Sequence, residues 1–368
     1  MKPKVVLSAV NFFEGGPLSV YQDALAELSR TFAAQYDIVA VVHRKDLFSV
    51  PGVEFIEFPK IRSSWIRRVK FEYYDLFKIS QAQDAYLWLS LHDMSPRVQA
   101  KIQAVYCHNP APFARLKLRD FVYDWRYSAF ALFYRHLYRL NIHRNDFVIV
   151  QQAWMRDRFQ KMYGVKDVIV AHPKVDASLG HFARADGEDS LSKKKFRFFY
   201  PAFPRVFKNV ELLLQAAELL KHDAIEIWLT FSGETGRYAR NLAKQCCDLP
   251  NVKLLGRLTR EQVFARYAAA DCLVFPSRLE TWGLPISEFK RTGKPMLVAD
   301  LPYAHETVGM YECVHFFDPD DHAELASLMR RLSISELQPS SAKAAAIAPP
   351  FAEGWRELFD ILLQAERS

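Results

Sequence analysis

The chain has 368 residues, half of them hydrophobic, 14% aromatic and 25% charged; this excludes a mainly disordered protein and suggests two globular domains. Its 49 Lys and Arg against 42 Asp and Glu leave a net charge of +7, a mild excess that points to anionic partners without naming one. An odd count of five cysteines without C-x-x-C spacing, no 18-residue apolar run and no signal-peptide pattern speak against a secreted disulfide scaffold or a membrane span. The reading is of a cytosolic protein.

Strand-like and helix-like segments alternate almost throughout, the rhythm of a parallel α/β protein. Residues 4–10 read as a buried strand, followed by Glu14-Gly15-Gly16 and a helix from about Pro17 with Leu18, Tyr21, Leu25 and Leu28 on its apolar face. Strands are expected at 37–42, 53–57, 84–89 and 104–107. Residues 110–145 are aromatic and basic and read as one or two helices with a mixed face; a strand at 146–151 and a helix through Arg156–Tyr163 follow. Residues 174–195, small, polar and charged, read as a linker. The rhythm then restarts, with strands at 196–201, 225–231, 252–255, 271–275, 295–299 and 313–317. Helices are expected between them at 208–221, 236–247, 259–269, 286–292 and 303–309, then at 321–332. Thr259 with Gln262 predicts a capping box, and Gly293 a helix C-cap. A last amphipathic helix, 351–366, carries Trp355, Leu358, Ile361 and Leu362. Two Rossmann-like domains, 1–173 and 196–350, are the natural reading.

The segment from Pro276 to Glu288, PSRLETWGLPISE, follows an apolar strand and opens a helix. It places Glu280 and Glu288 on either side of Gly283 and Pro285, at the carboxyl end of a parallel strand, where open α/β sheets bind ligands. Gly283 lets backbone approach a ligand, the helix start favours an anion such as a diphosphate, and two carboxylates accept bonds from vicinal hydroxyls. Spacing alone leaves an ordinary strand–loop–helix with two solvated glutamates equally open.

ETWGLPISE resembles the E-x(7)-E signature of retaining glycosyltransferases of family 4, which have the GT-B fold: two Rossmann-like domains facing a cleft. Gly283, Leu284, Pro285 and Glu288 match in register, with Thr281-Trp282 where Gly-Phe is more usual. The resemblance covers most of the second half. Gly256, Arg257 and Leu258 resemble the loop that contacts the donor base, Tyr267 to Asp271 the stretch before the signature strand, and Thr292 to Pro295 the stretch after it. It implies that the first domain takes the acceptor, the second takes a nucleotide diphosphate sugar, and the terminal helix 351–368 packs back on the first. Glu288 would bind donor ribose and Glu280 the sugar hydroxyls.

The resemblance also implies that Lys208 and Arg205, after the first strand of the second domain, balance the donor diphosphate, for which guanidinium and ammonium groups are suited. Arg205 lies only three residues before Lys208, closer than the family pattern. Gly15 and Gly16 would face the donor phosphates, and His108 of Tyr106–Pro110 would be the active-site histidine near the transferring sugar. Leu91-His92-Asp93 reads as an interior polar site or part of the acceptor pocket, and Asp318–Asp321 as a loop and helix N-cap rather than a metal site. No metal or other cofactor is expected.

The segments 60–70 and 115–144 are rich in cations and aromatics. They read either as solvated faces around buried rings or as patches for an anionic membrane surface, on its inner side. No nucleic-acid module is present. The acceptor expected is a polysaccharide or lipid-linked glycan. The rival readings are a sugar-nucleotide epimerase of the same fold, a dinucleotide oxidoreductase, disfavoured by the missing G-x-G-x-x-G, and a non-catalytic sugar-binding protein.

Overall fold

Short runs of β-branched and aromatic residues form the strands, and helices of 3.6-residue periodicity connect them. The computed structural model describes residues 2–365 except 14, 60, 62–64, 115, 117, 174–194, 339 and 343–345. All but the last residue of the expected linker therefore lies outside the described residues. The chain runs through β1 (Lys4–Ser8), α1 (Gly15–Phe32), β2 (Asp37–Val42), β3 (Val53–Glu57), α2 (Trp65–Lys70), α3 (Leu76–Gln83), β4 (Ala85–Ser90) and β5 (Ala100–Cys107). It continues through α4 (Leu118–Arg139), β6 (Phe147–Val150), α5 (Ala153–Tyr163) and β7 (Val168–His172). The second half is β8 (Phe196–Tyr200), α6 (Val210–Leu219), β9 (Ile225–Leu229), α7 (Arg237–Cys247), β10 (Val252–Leu254), α8 (Arg260–Ala269) and β11 (Cys272–Phe275), followed by α9 (Leu284–Lys290), β12 (Met296–Ala299), α10 (Pro302–Val308), β13 (Val314–Phe317) and α11 (His322–Ser333). It closes with β14 (Phe351–Glu353) and α12 (Trp355–Gln364).

Two parallel sheets result, ordered β14-β7-β6-β5-β4-β1-β2-β3 and β10-β9-β8-β11-β12-β13. β9, β11 and β12 are buried along their whole length, as expected of parallel strands covered by helices on both faces. The sequence patterns thus place the α/β class and most strand positions correctly. Three local features go beyond the sequence patterns. α1 starts at Gly15, so Pro17 sits inside the first turn, where a missing N–H costs nothing. Residues 65–83 are helical, with a wider π turn at Phe71–Asp75. Phe351–Glu353 is a strand, paired in parallel with Val170–His172, and Gly354 at φ 86° breaks it from α12.

The chain divides into two compact units. Unit 1 comprises Met1–Phe113, Leu132–Lys174 and Ile347–Ser368; unit 2 comprises Ala114–Ala131 and Val175–Ala346. α4 contributes to both and leaves helical geometry at Asp124 (φ −144°, ψ 73°). In unit 1, α12 buries Leu358, Phe359 and Leu362 in one core with Leu25 and Leu28 of α1, and the rings of Phe32 and Phe359 meet edge-on at 6.1 Å.

Candidate active site

In unit 2 the chain runs β8 to β9 to β10 in one direction across the sheet, then returns to β11 beside β8 and runs the other way. At such a reversal the loops leaving two neighbouring strands diverge and open a crevice at their carboxyl ends. The loop after β8 carries Arg205, Phe207, Lys208 and Asn209; the loop after β11 carries Ser277 to Gly283. One backbone bond and one asparagine side chain hold the two loops together. The Arg278 amide donates to Phe207 O (2.7 Å), and buried Asn209 donates through Nδ2 to Pro276 O (3.1 Å) and Pro319 O (2.9 Å). Asn209 sits at φ 55°, a conformation asparagine tolerates better than most residues.

These loops bring Lys208 and Glu280 together. Lys208 Nζ lies 2.5 Å from Glu280 Oε1, and Ser277 Oγ donates to the same oxygen at 2.7 Å. Both charged side chains are mostly buried, at 17% and 14% exposure. The ammonium also faces the rings of Phe207 and Phe275 at 5.5 and 5.8 Å. An ion pair this withdrawn from water, with one carboxylate oxygen taking both bonds, leaves Oε2 available to a hydroxyl.

Gly283 adopts φ 89°, which favours glycine, and a Cβ there would meet Ile286 Cδ1 at 3.3 Å. Leu284 then opens α9. Trp282, in the place of the more usual Phe, is buried; its Nε1 donates to Ser287 Oγ at 2.9 Å and its carbonyl accepts from Thr307 Oγ1. Glu288 lies one turn into α9. Tyr267 of α8 donates to its Oε2 at 2.9 Å, and Arg260 stands 3.8 Å from Oε1. Burial pushes this carboxyl above its ordinary range, against the pull of Tyr267, Arg260 and Arg291. Gly256, Arg257 and Leu258 lie after edge strand β10, with Gly256 at φ 72°. They lead into Thr259, which caps α8 in a full capping box with Gln262.

Arg205 is engaged elsewhere. Its guanidinium pairs with Asp124 of α4 at 3.2 Å and is half-exposed. Tyr127, one turn on from Asp124, packs with its ring tilted against Phe207 at 5.3 Å, and its hydroxyl has no hydrogen-bond partner among the described residues. Burial raises the Tyr127 phenol; Arg205 opposes the rise, and Asp120, Asp124 and Glu280 reinforce it. Sequence reasoning missed Asp124 and Tyr127. The available signal was two acids, Asp120 and Asp124, in an otherwise basic segment.

In unit 1, Asp93 follows β4 at φ 69°. Its Oδ1 accepts from the amides of His108 (2.7 Å) and Asn109 (3.0 Å) and from the Tyr138 hydroxyl (2.9 Å). It thereby fixes the loop after β5, where the His108 ring meets Phe12 edge-on at 5.2 Å. His92 is wholly interior, with Nδ1 3.0 Å from Ser8 O and Nε2 2.8 Å from Glu72 Oε1. Gly15 and Gly16 open α1 after β1; Glu14 lies outside the described residues. Asp321 caps α11, accepting from Ala323 and Glu324 amides at 2.9 Å each.

Residues 184–348 match the family described as Glycosyl transferases group 1. A D-inositol 3-phosphate glycosyltransferase of Catenulispora acidiphila is 25% identical over 239 residues, 61% of this chain and 57% of its own. The O-antigen chain mannosyltransferase of Salmonella typhimurium is 23% identical over 208 residues, 55% of each. The chain thus spans little more than half the length of these curated relatives. Sucrose-phosphate synthase from Thermosynechococcus elongatus, at 14% identity, superposes with a TM-score of 0.63 over 90% of both chains, a likeness of fold. With its two parallel α/β sheets the chain has the GT-B fold, and its residues 184–348 match the glycosyl transferases group 1 family.

Proposed function

We propose that the protein moves a hexose from a nucleotide diphosphate sugar to a hydroxyl of a polysaccharide or lipid-linked glycan acceptor, with retention of anomeric configuration. The observation that carries this reading is the Lys208–Glu280 couple at the β8–β11 reversal. The names of two relatives, one for an inositol phosphate and one for an O-antigen chain, support a polyol or glycan acceptor. In the proposed step the bond from the anomeric carbon to the β-phosphate oxygen breaks, and its electron pair leaves with the diphosphate. The acceptor oxygen bonds to the same carbon from the same face and gives its proton to the departing phosphate. Lys208 meets the negative charge as it develops, which is where preorganised charge accelerates a reaction most. Arg205 joins it once released from Asp124, and backbone near Gly15, Gly16 and Gly283 approaches the phosphates.

Glu280 holds sugar hydroxyls through Oε2, and Glu288 holds the ribose. Gly256, Arg257 and Leu258 flank the base, Leu284 closes on the donor, and His108 of unit 1 orients sugar and acceptor. No metal is required. The reading places the enzyme at the cytosolic face of a membrane.

The test is calorimetry with UDP, GDP and NAD, with and without magnesium, followed by transfer assays on variants. One nucleoside diphosphate should bind without metal. Lys208→Met should lower kcat by about 10²–10³ with intact folding, and Glu288→Ala should abolish transfer. Binding of NAD alone, or full activity in Glu288→Ala, overturns the proposal. Donor conversion without an acceptor indicates the epimerase instead.

A further inference from the structure

Helix α7 carries Arg237, Arg240 and Lys244 on one face, at positions i, i+3 and i+7, and no acid in its 11 residues. Its opposite face, Tyr238, Ala239, Leu242 and Cys246, is buried in unit 2. The three cations are exposed, and none has an ion-pair partner among the described residues. Together with Asn241 they line a cleft of about 280 Å³ whose other wall is Val122 and Tyr123 of α4. Tyr123 packs on Tyr238 at 5.9 Å, which fixes that wall to α7. The cleft has room for about nine water volumes, enough for a phosphate group with part of its ester.

The same stretch of α4 presents large apolar side chains to solvent. Leu118 is 89% exposed, one turn before Val122 at 65%, and Trp125 is 63% exposed with Arg126 over its ring at 5.8 Å. Isolated exposed hydrophobics are ordinary, but a Trp and aliphatics beside unpaired cations around a cleft are the chemistry of an interface between water and lipid. A soluble anion would use the cations and leave these apolar groups with nothing to bury; nucleic acid would gain little from the aliphatic ones.

We infer that the cleft between α4 and α7 is a lipid-headgroup site. In it Arg237, Arg240 and Lys244 take the phosphate of an anionic phospholipid while Leu118, Val122 and Trp125 enter the acyl boundary. The site deepens the peripheral-membrane reading above and lies in unit 2: its apolar wall belongs to the basic, aromatic segment 115–144, and its cations come from α7, outside both basic segments.

The test is co-sedimentation of the full chain with vesicles of equal phosphatidylglycerol and phosphatidylcholine, and with phosphatidylcholine alone. The wild type should bind only the anionic vesicles, and less in high salt. Arg237→Glu/Arg240→Glu should bind at least about thirtyfold more weakly. Lys161→Glu/Lys166→Glu, an equal charge change on exposed residues of unit 1, should leave binding near the wild-type level. Trp125→Ser should weaken binding without changing net charge. Equal binding to neutral vesicles, no loss in the double arginine variant, or binding of inorganic phosphate with no vesicle binding overturns the inference. Nucleoside diphosphate affinity, measured on the same samples, tests the transferase proposal separately; circular dichroism confirms folding.

Discussion

Glu288 sits where burial resists its charge, and this gives the site a pH signature. Its carboxyl is held above the ordinary value of 4.5. A carboxyl that binds its proton more tightly folded than unfolded contributes stability at low pH, and that contribution is lost as pH rises through the shifted value. If ribose hydroxyls bond to the carboxylate, nucleoside diphosphate affinity climbs over the same window. Glu288→Gln should flatten the wild type's stability slope across acid-to-neutral pH in thermal melts, and calorimetry should show the climb in affinity gone. An unchanged affinity profile in this variant removes Glu288 from the donor site. The two glutamates were legible because both lie in one short stretch anchored to one strand. The Asp124–Arg205 pair was not, because it joins residues 81 positions apart and no local pattern encodes such a contact.

At the scale of elements, the turn from β11 into α9 is the most demanding piece of backbone. Gly283 holds φ 89°, where an L side chain costs about 1–2 kcal/mol, and its added methyl would press on Ile286 at 3.3 Å. Gly283→Ala should lower Tm and weaken nucleoside diphosphate binding about tenfold if the shifted turn moves the amides or Glu288. A variant with lowered Tm and unchanged affinity shows that this turn serves the fold alone. Strands such as Asp37–Val42 and Val53–Glu57 were readable to the residue, because short apolar runs between turn signals have one interpretation in an α/β chain. Phe351–Glu353 was absorbed into the following helix because three residues carry no period; its strand state comes from the open edge of β7. The break in α4 at Asp124 was equally hidden, since aspartate inside a helical pattern is unremarkable by sequence.

For the whole molecule, the return of the chain is the organising feature. Phe359 is fully buried and faces Phe32 of α1. Phe359→Ala should cost about 3–5 kcal/mol, measured by denaturant unfolding; a loss near zero means α12 is dispensable to unit 1. Two α/β halves were legible from the repeated strand–helix rhythm, as was the family from motifs in the correct order. The return of the terminal helix to unit 1 was expected from the resemblance, whereas the part of α4 that completes unit 2 was not legible, because composition does not reveal which half a mixed-face helix joins.

Neither unit is a continuous stretch of polypeptide. Cutting the chain between β7 and β8 yields two fragments that each lack a part: one lacks β14 and α12, the other Asp124 and Tyr127 against the Arg205 loop. On the ribosome, β7 remains an uncovered sheet edge until Phe351–Glu353 has been made, and uncovered edges pair readily with other chains. A nascent chain halted after unit 2 but before Phe351 is therefore the form most prone to aggregate, although most of its residues already have native neighbours.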